Sequence, residues 1–219
     1  EVLETIPGLI VTQHSGSGKA NQFFLRGFSL DHGTDFSASV DGIPANLPTH
    51  AHGQGYLDLN FLIPELIDRV AFEKGTHDVE AGDFSTAGRA EIQFARRLDE
   101  GIARATAGSD ESAEALVAAS STVGGGDLLA AVRGRYANGP WVTPENSSLV
   151  SALAKFSMGT EADGLSLTAL AYASDWTARS PKSRGWSSKG RSTPSPIFGA
   201  AAKPIGPHSG GGVLFGGGL

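Results

Sequence analysis

The chain has 219 residues, no cysteine and a formal net charge of −6. Its length allows one or two domains, and without thiols neither a disulfide framework nor a thiolate metal site can form. The acidic balance argues against a nucleic-acid binder, which needs a basic face. No apolar run reaches the about 20 residues of a membrane-spanning helix, so membrane residence would have to come from strands.

In chain order, Val2 to Ile6 reads as short and helix-like, Leu9 to Val11 as a strand and His14 to Asn21 as a Gly/Ser loop. Within that loop Ser15-Gly16-Ser17-Gly18-Lys19-Ala20 looks like a phosphate loop. Such a loop needs Gly five residues before its Gly-Lys and Ser or Thr after the Lys, and Gln13 and Ala20 stand there instead. Gln22 to Arg26 and Phe36 to Val40 follow as strands, the second ending at an Asp41-Gly42 turn. A polar loop then carries His50, His52, Gln54, Tyr56 and Asp58 with Gly53 and Gly55 between them. It has many hydrogen-bonding groups and little to bury, so it reads as displayed surface. Pro64 opens a helix through about Ile67. Arg69 to Glu73 and Ala90 to Leu98 are strands with Val70, Phe72, Ile92 and Phe94 as their apolar positions. Residues 1–98 therefore form a compact α+β unit, a small mixed sheet with short helices.

From Gly101 to Trp176 the pattern changes to strict alternation. Val150, Ala152, Ala154, Phe156 and Met158 oppose Ser151, Leu153, Lys155 and Ser157; Leu165, Leu167, Ala169, Ala171 and Ala173 oppose Ser166, Thr168, Tyr172 and Ser174. Leu128 to Tyr136 sets Val132 against Arg133 and Arg135. Polar turns at Gly108–Glu111, Ser121–Asp127, Asn138–Ser147 and Gly159–Gly164 join these stretches into an antiparallel meander. Transmembrane barrel strands have this pattern, apolar toward lipid and polar toward the lumen; a soluble sandwich alternates in the same way. Residues 179–219 hold five of the 11 prolines and no acidic residue. They read as a low-complexity tail, since proline interrupts ladders; an out-of-frame origin would explain the abrupt loss of acids.

Taken in order, several of these segments resemble the plug domain of TonB-dependent outer-membrane receptors. They are Ile6-Pro7-Gly8, Leu25-Arg26-Gly27, Asp41-Gly42-Ile43-Pro44, Asp58-Leu59-Asn60 with Ile63-Pro64-Glu65, Lys74-Gly75, and Ala81-Gly82 through Ala87-Gly88. The resemblance implies a plug over 1–98, the first strands of an incomplete antiparallel transmembrane β-barrel over 99–178, and the tail beyond. Only about five barrel strands fall in this stretch, against about 22 in a closed transporter of this kind. The chain also opens at Glu1 without Met or leader, so a truncated or processed outer-membrane product is expected. The implied function is bacterial outer-membrane uptake of a scarce ligand, a siderophore, vitamin, metal complex or oligosaccharide. The implied partners are that extracellular ligand, membrane lipid, and TonB through an N-terminal box outside this chain. Neither nucleic acid nor a cofactor is expected.

The resemblance places the loop after Asp41-Gly42-Ile43-Pro44 at the plug apex, which makes Thr49, His50, His52, Gln54 and Tyr56 expected ligand contacts. Arg26 matches a plug arginine that pairs with barrel glutamates. At the second such position stands Lys74, which keeps the charge but loses bidentate geometry. Read from the residues alone, His50-Ala51-His52 puts two imidazoles on one side of an extended segment, a spacing usable for metal, with Asp58, His32 or Asp31 to complete a shell. The expectation is nonetheless no resident metal. Ser29, Asp31 and His32 are close in sequence, but a triad is defined by geometry, so no catalytic residue is expected. The rival readings are a soluble envelope metal-dependent enzyme using His50 and His52, and a soluble β-rich binding module.

Overall fold

The computed structural model describes residues 2–13, 18–79, 81–140, 144–160, 163–179, 187–188, 199–205 and 213–214. The chain divides into two compact units, 1–14 with 19–94, and 15–18 with 95–219.

The first unit is built of short strands: β1 (Leu9–Thr12), β2 (Gln22–Leu25), β3 (Phe28–Ser29), β4 (Phe36–Val40), β5 (Ile43–Pro44), β6 (Asn46–Leu47), β7 (Tyr56–Leu57), β8 (Ile67–Lys74) and β9 (Gly88–Phe94). Strands β1, β2 and β3 form one antiparallel sheet, and β6 pairs with β7. The central sheet has the order β5-β4-β9-β8, with β4 and β9 parallel and the outer pairs antiparallel. Alternation decides its buried face: Phe36, Ala38 and Val40 on β4 lie inward, as do Ala90, Ile92 and Phe94 on β9. The register sets Ala38 beside Ala90 and Val40 beside Ile92, so the two inward rows merge into one core. The Phe36 ring stacks on Phe23 of β2 at 6.5 Å, tying the second sheet to the first.

The expected α+β mixture needs correction: among the described residues the helical content is two 3-10 turns, Val2–Thr5 and Pro64–Leu66. Pro7 cannot donate a helical hydrogen bond and disfavours helical backbone at Ile6, so the first turn cannot propagate. Ile67 after the second is already extended, at φ −81° and ψ 122°. The strand expected through Arg26 ends at Leu25, and the one expected to reach Leu98 ends at Phe94.

The second unit is a meander of β10 (Ile102–Gly108), β11 (Ser112–Val123), β12 (Gly126–Ala137), β13 (Ser147–Gly159) and β14 (Gly164–Asp175), each antiparallel to the next. The polar turn expected over Ser121–Asp127 shrinks to Gly124-Gly125, because the ladder runs on to Val123 opposite Gly126. The tail departs from expectation as well. The backbone of β17 (Gly199–Ile205) extends the sheet beside β14, with Pro204 opposite Leu165, and β18 (Val213–Leu214) pairs with it; β15 (Ala178–Arg179) and β16 (Ser187–Ser188) form a separate pair. The glycine runs 210–212 and 216–218 lie outside the described residues.

The two faces of this meander differ in kind. One cross-strand row reads Ala103, Val117, Val132, Ala152, Ala171, and a second reads Ala119, Ala130, Ala154, Ala169. On this face Val117 is 62% exposed, and Val132 and Val150 are each 53% exposed. The charged residues of β10 to β14 lie on the other face, apart from Asp175 at the end of β14. There Arg133 and Lys155 are buried among leucines, serines and threonines. Arg104 pairs with Glu114 at 3.2 Å and Arg97 with Asp127 at 3.2 Å. A soluble sandwich would cover its apolar face and wet its polar one. Here the uniformly apolar face is the exposed one, as on a transmembrane barrel strand.

A lipid-covered face would be intolerant of charge. Val132→Lys should cost about 2–4 kcal/mol if the site lies near the bilayer midplane, whereas Thr106→Lys, on the polar face opposite Glu114, should be tolerated. Recovery of each variant in outer-membrane fractions, with heat-modifiable mobility as the assembly readout, checks the contrast.

Candidate functional site

The polar loop is held in place by one buried amide. Asn46, at the start of β6, donates from Nδ2 toward the carbonyl oxygens of Gly55 (2.9 Å), Phe36 (3.0 Å) and Gly33 (3.2 Å), while its Oδ1 accepts from the Ala38 N–H (2.8 Å). Backbone bonds close the same region: the Leu57 N–H donates to His32 O at 2.7 Å and the Gly55 N–H to Leu47 O at 2.9 Å. Gly33 has φ +106°, and a Cβ there would fall 2.5 Å from Leu57 Cβ, so only glycine permits this approach. The stretch carrying Asp31 and His32 is thereby fastened to the loop carrying His50, His52 and Tyr56.

The fastening gathers five side chains. His50 stacks on Tyr56 with ring centroids 3.9 Å apart and planes 15° from parallel. His52 meets His32 edge-on at 4.6 Å, and its Nε2 lies 3.2 Å from Asp31 Oδ2. The other Asp31 oxygen, Oδ1, is 3.7 Å from His32 Nε2. Asp31 holds φ +49°, a left-handed backbone that Asp tolerates better than most residues. Its own C=O accepts from the Phe23 N–H at 2.9 Å, which fixes its place at the end of the β2–β3 hairpin.

Burial sets the protonation of the cluster. His32 is 2% exposed, and its Nδ1 donates to the carbonyl oxygen of Asn21 at 3.0 Å, so Nε2 carries the lone pair. Desolvation pulls its pKa below the ordinary imidazole value, aided by the charges of Lys19 and His52 and opposed by Asn21 and Asp31. His50 is lowered as well, by burial and then by His52. Tyr56 is pushed up by burial, against a hydrogen bond that its hydroxyl accepts from the Ala20 N–H at 3.2 Å.

The expected residues divide accordingly. His50, His52 and Tyr56 converge, while Thr49 and Gln54 are exposed on the same loop. The two imidazoles of the rival metal reading do not share a centre: His50 Nδ1 accepts from the His52 N–H at 3.2 Å and its ring covers Tyr56, whereas His52 turns to Asp31 and His32. Asp58 accepts from the Asn60 N–H at 2.9 Å. Arg26 is exposed at a two-residue turn with φ +53°, and Lys74 lies 5.7 Å from the centre of the Phe72 ring. Asn46 and Asn21 were not legible as site residues, since their contribution rests on contacts between segments distant in sequence.

Residues 1–89 match the family described as "TonB-dependent Receptor Plug Domain". Among solved structures, the copper transporter OprC aligns with a TM-score of 0.64 at 19% identity, covering 92% of this chain and 30% of that one. The FrpB iron transporter of Neisseria meningitidis (F3-3 variant) gives 0.60 at 16% identity, covering 92% and 33%. The pyoverdine outer membrane receptor FpvA from Pseudomonas aeruginosa PAO1 gives 0.54 at 18% identity, covering 80% and 25%. Residues 1–89 thus match the plug domain of TonB-dependent receptors, and the chain is similar in fold to part of these outer-membrane structures. It spans about a third or less of the length of these three structures.

Two measurements check the cluster. Asn46→Leu leaves buried carbonyls without their donor and should lower the stability of the full chain in detergent by about 3 kcal/mol, read as a shift in urea midpoint. The depressed folded-state pKa values of His32 and His50 mean that the unfolded chain takes up protons first as pH falls. In the presence of chelator, stability should be complete above about pH 6.5, the ordinary imidazole value, and decline as pH drops below it. His32→Gln should flatten that decline.

Proposed function

We propose that this chain supplies the plug and first wall strands of a receptor that takes up a scarce ligand across the bacterial outer membrane. The observation that carries the reading is the plug match over residues 1–89 followed in the same chain by strands whose apolar face is outward. Outer-membrane lipid covers that face. On this reading the exposed part of the cluster, His50, His52 and Tyr56, together with Thr49 and Gln54, contacts an extracellular ligand. TonB, engaged through a box outside this chain, drives release from the plug. Arg26 and Lys74 are the plug cations proposed to pair with wall carboxylates. The protein transports and performs no chemistry on its ligand, so it uses neither a catalytic residue nor a cofactor.

The test is competitive growth of a strain lacking the receptor gene against its parent, in media depleted in turn of iron, zinc, copper, nickel and cobalamin, or limited to an oligosaccharide carbon source. A defect is expected in one medium only, and it should vanish when both strains also lack TonB. Equal growth in every medium, or a defect that persists without TonB, would overturn the uptake reading.

A further inference from the structure

We propose that Asp31, His32 and His52 form a binding site for a divalent first-row transition metal of the zinc type, with a fourth position open to water or to a donor atom of an incoming chelate. The site rests on plug geometry; that its metal is the transported cargo rests in addition on the uptake reading.

The ligand atoms are already close to a coordination sphere. One Asp31 oxygen lies 3.2 Å from His52 Nε2 and the other 3.7 Å from His32 Nε2, and one donor atom from each of the three residues falls within 4.8 Å of the others. Zinc bonded at about 2.0–2.2 Å to nitrogen and oxygen in tetrahedral geometry separates its ligand atoms by about 3.3 Å. The widest pair would have to close by at most about 1.5 Å, which the exposed His52 side chain on its Gly53-flanked loop can supply.

A second observation comes from His32. Metal-bound imidazoles regularly donate their remaining ring N–H to a carbonyl or carboxylate, which fixes tautomer and orientation. The Nδ1 bond to the Asn21 carbonyl does this at 3.0 Å, leaving the buried Nε2 with its lone pair turned toward the Asp31 carboxylate. That bond, the Leu57 tie to the His32 backbone and the Asn46 knot hold the ring in place.

The donor set selects the ion. Two imidazole nitrogens and a carboxylate suit zinc, nickel or copper(II) and disfavour calcium and magnesium, which take oxygen ligands. Soft copper(I) finds no thiolate in a chain without cysteine, and Met158 lies on the outward face of β13. The competing account is a plain hydrogen bond from His52 Nε2 to Asp31.

Isothermal titration of the full chain in detergent micelles with Zn²⁺ separates the two. One equivalent should bind saturably, and Co²⁺ should give the intense visible bands of four-coordinate geometry. His52→Ala and Asp31→Asn, both at exposed positions, should each weaken Zn²⁺ binding at least tenfold and abolish the Co²⁺ spectrum. His50→Ala and His77→Ala should stay within about twofold of the parent. No saturable binding would overturn the site and establish the hydrogen bond. A loss as large in His50→Ala as in His52→Ala, with Asp31→Asn unaffected, would overturn it in favour of the loop pair. Neither result touches the uptake reading, which stands or falls on the growth competition.

Discussion

The plug depends on one amide. Asn46 is the only kind of side chain that could serve at its position: it must donate twice and accept once with its heavy atoms in a fixed plane. The carbonyls it meets belong to Gly33, Phe36 and Gly55, and the N–H it accepts to Ala38. Aspartate would set an oxygen against three carbonyl oxygens. Leucine would fill the volume but orphan them, at about 1–3 kcal/mol for each buried group left unpaired. The amide bonds the carbonyls of both Gly33 and Gly55, so together with the Leu57–His32 backbone bond it ties the His32 stretch to the His52 loop.

The second unit answers to a different constraint. Its strands present a uniformly apolar row on one face and carry their charges on the other, where Leu116, Leu129, Leu153 and Leu170 are buried beside Arg133 and Lys155. Register sharpens that alternation, since a single cross-strand row collects Ala103, Val117, Val132, Ala152 and Ala171 without a polar interruption. On the opposite side Arg133 and Lys155 lie with Ser151, Ser157 and Thr168 as well as with Leu129 and Leu153.

What the sequence revealed followed its periodicities and turn residues. Phe36 to Val40 and the Asp41-Gly42 turn stand as read, because alternation and a left-handed Asp-Gly pair are local facts. Val132 against Arg133 is likewise local. The helices were overread: Val2 to Ile6 and Pro64 to Ile67 have helical openings but lack the length to outlast their nucleation cost. At the site, the loop was legible as a displayed surface, and two histidines at alternate positions suggested a pair. Alternation gave the wrong partner. His50 finds an aromatic face two strand ends away at Tyr56, and His52 finds Asp31 and His32 across 21 and 20 residues of chain. The arrangement rests on contacts between distant segments, such as the four made by Asn46, which no local pattern announces.

The three proposed metal ligands also differ in how firmly the fold holds them. His32 is fixed by burial and by the Asn21 carbonyl; Asp31 is anchored through its backbone but half-exposed; His52 is exposed on a loop flanked by Gly53. A metal held by all three would be lost in steps, beginning with the ligand least restrained. Moving the His52 loop away from the Asp31–His32 stretch removes one donor and opens the sphere to water. The motion must break the Gly55–Leu47 backbone bond or turn the chain between Ala51 and Gly53, and only the second leaves the Asn46 knot intact. The exposed, glycine-flanked segment is therefore where release would begin, while the buried amide preserves the fold through the cycle.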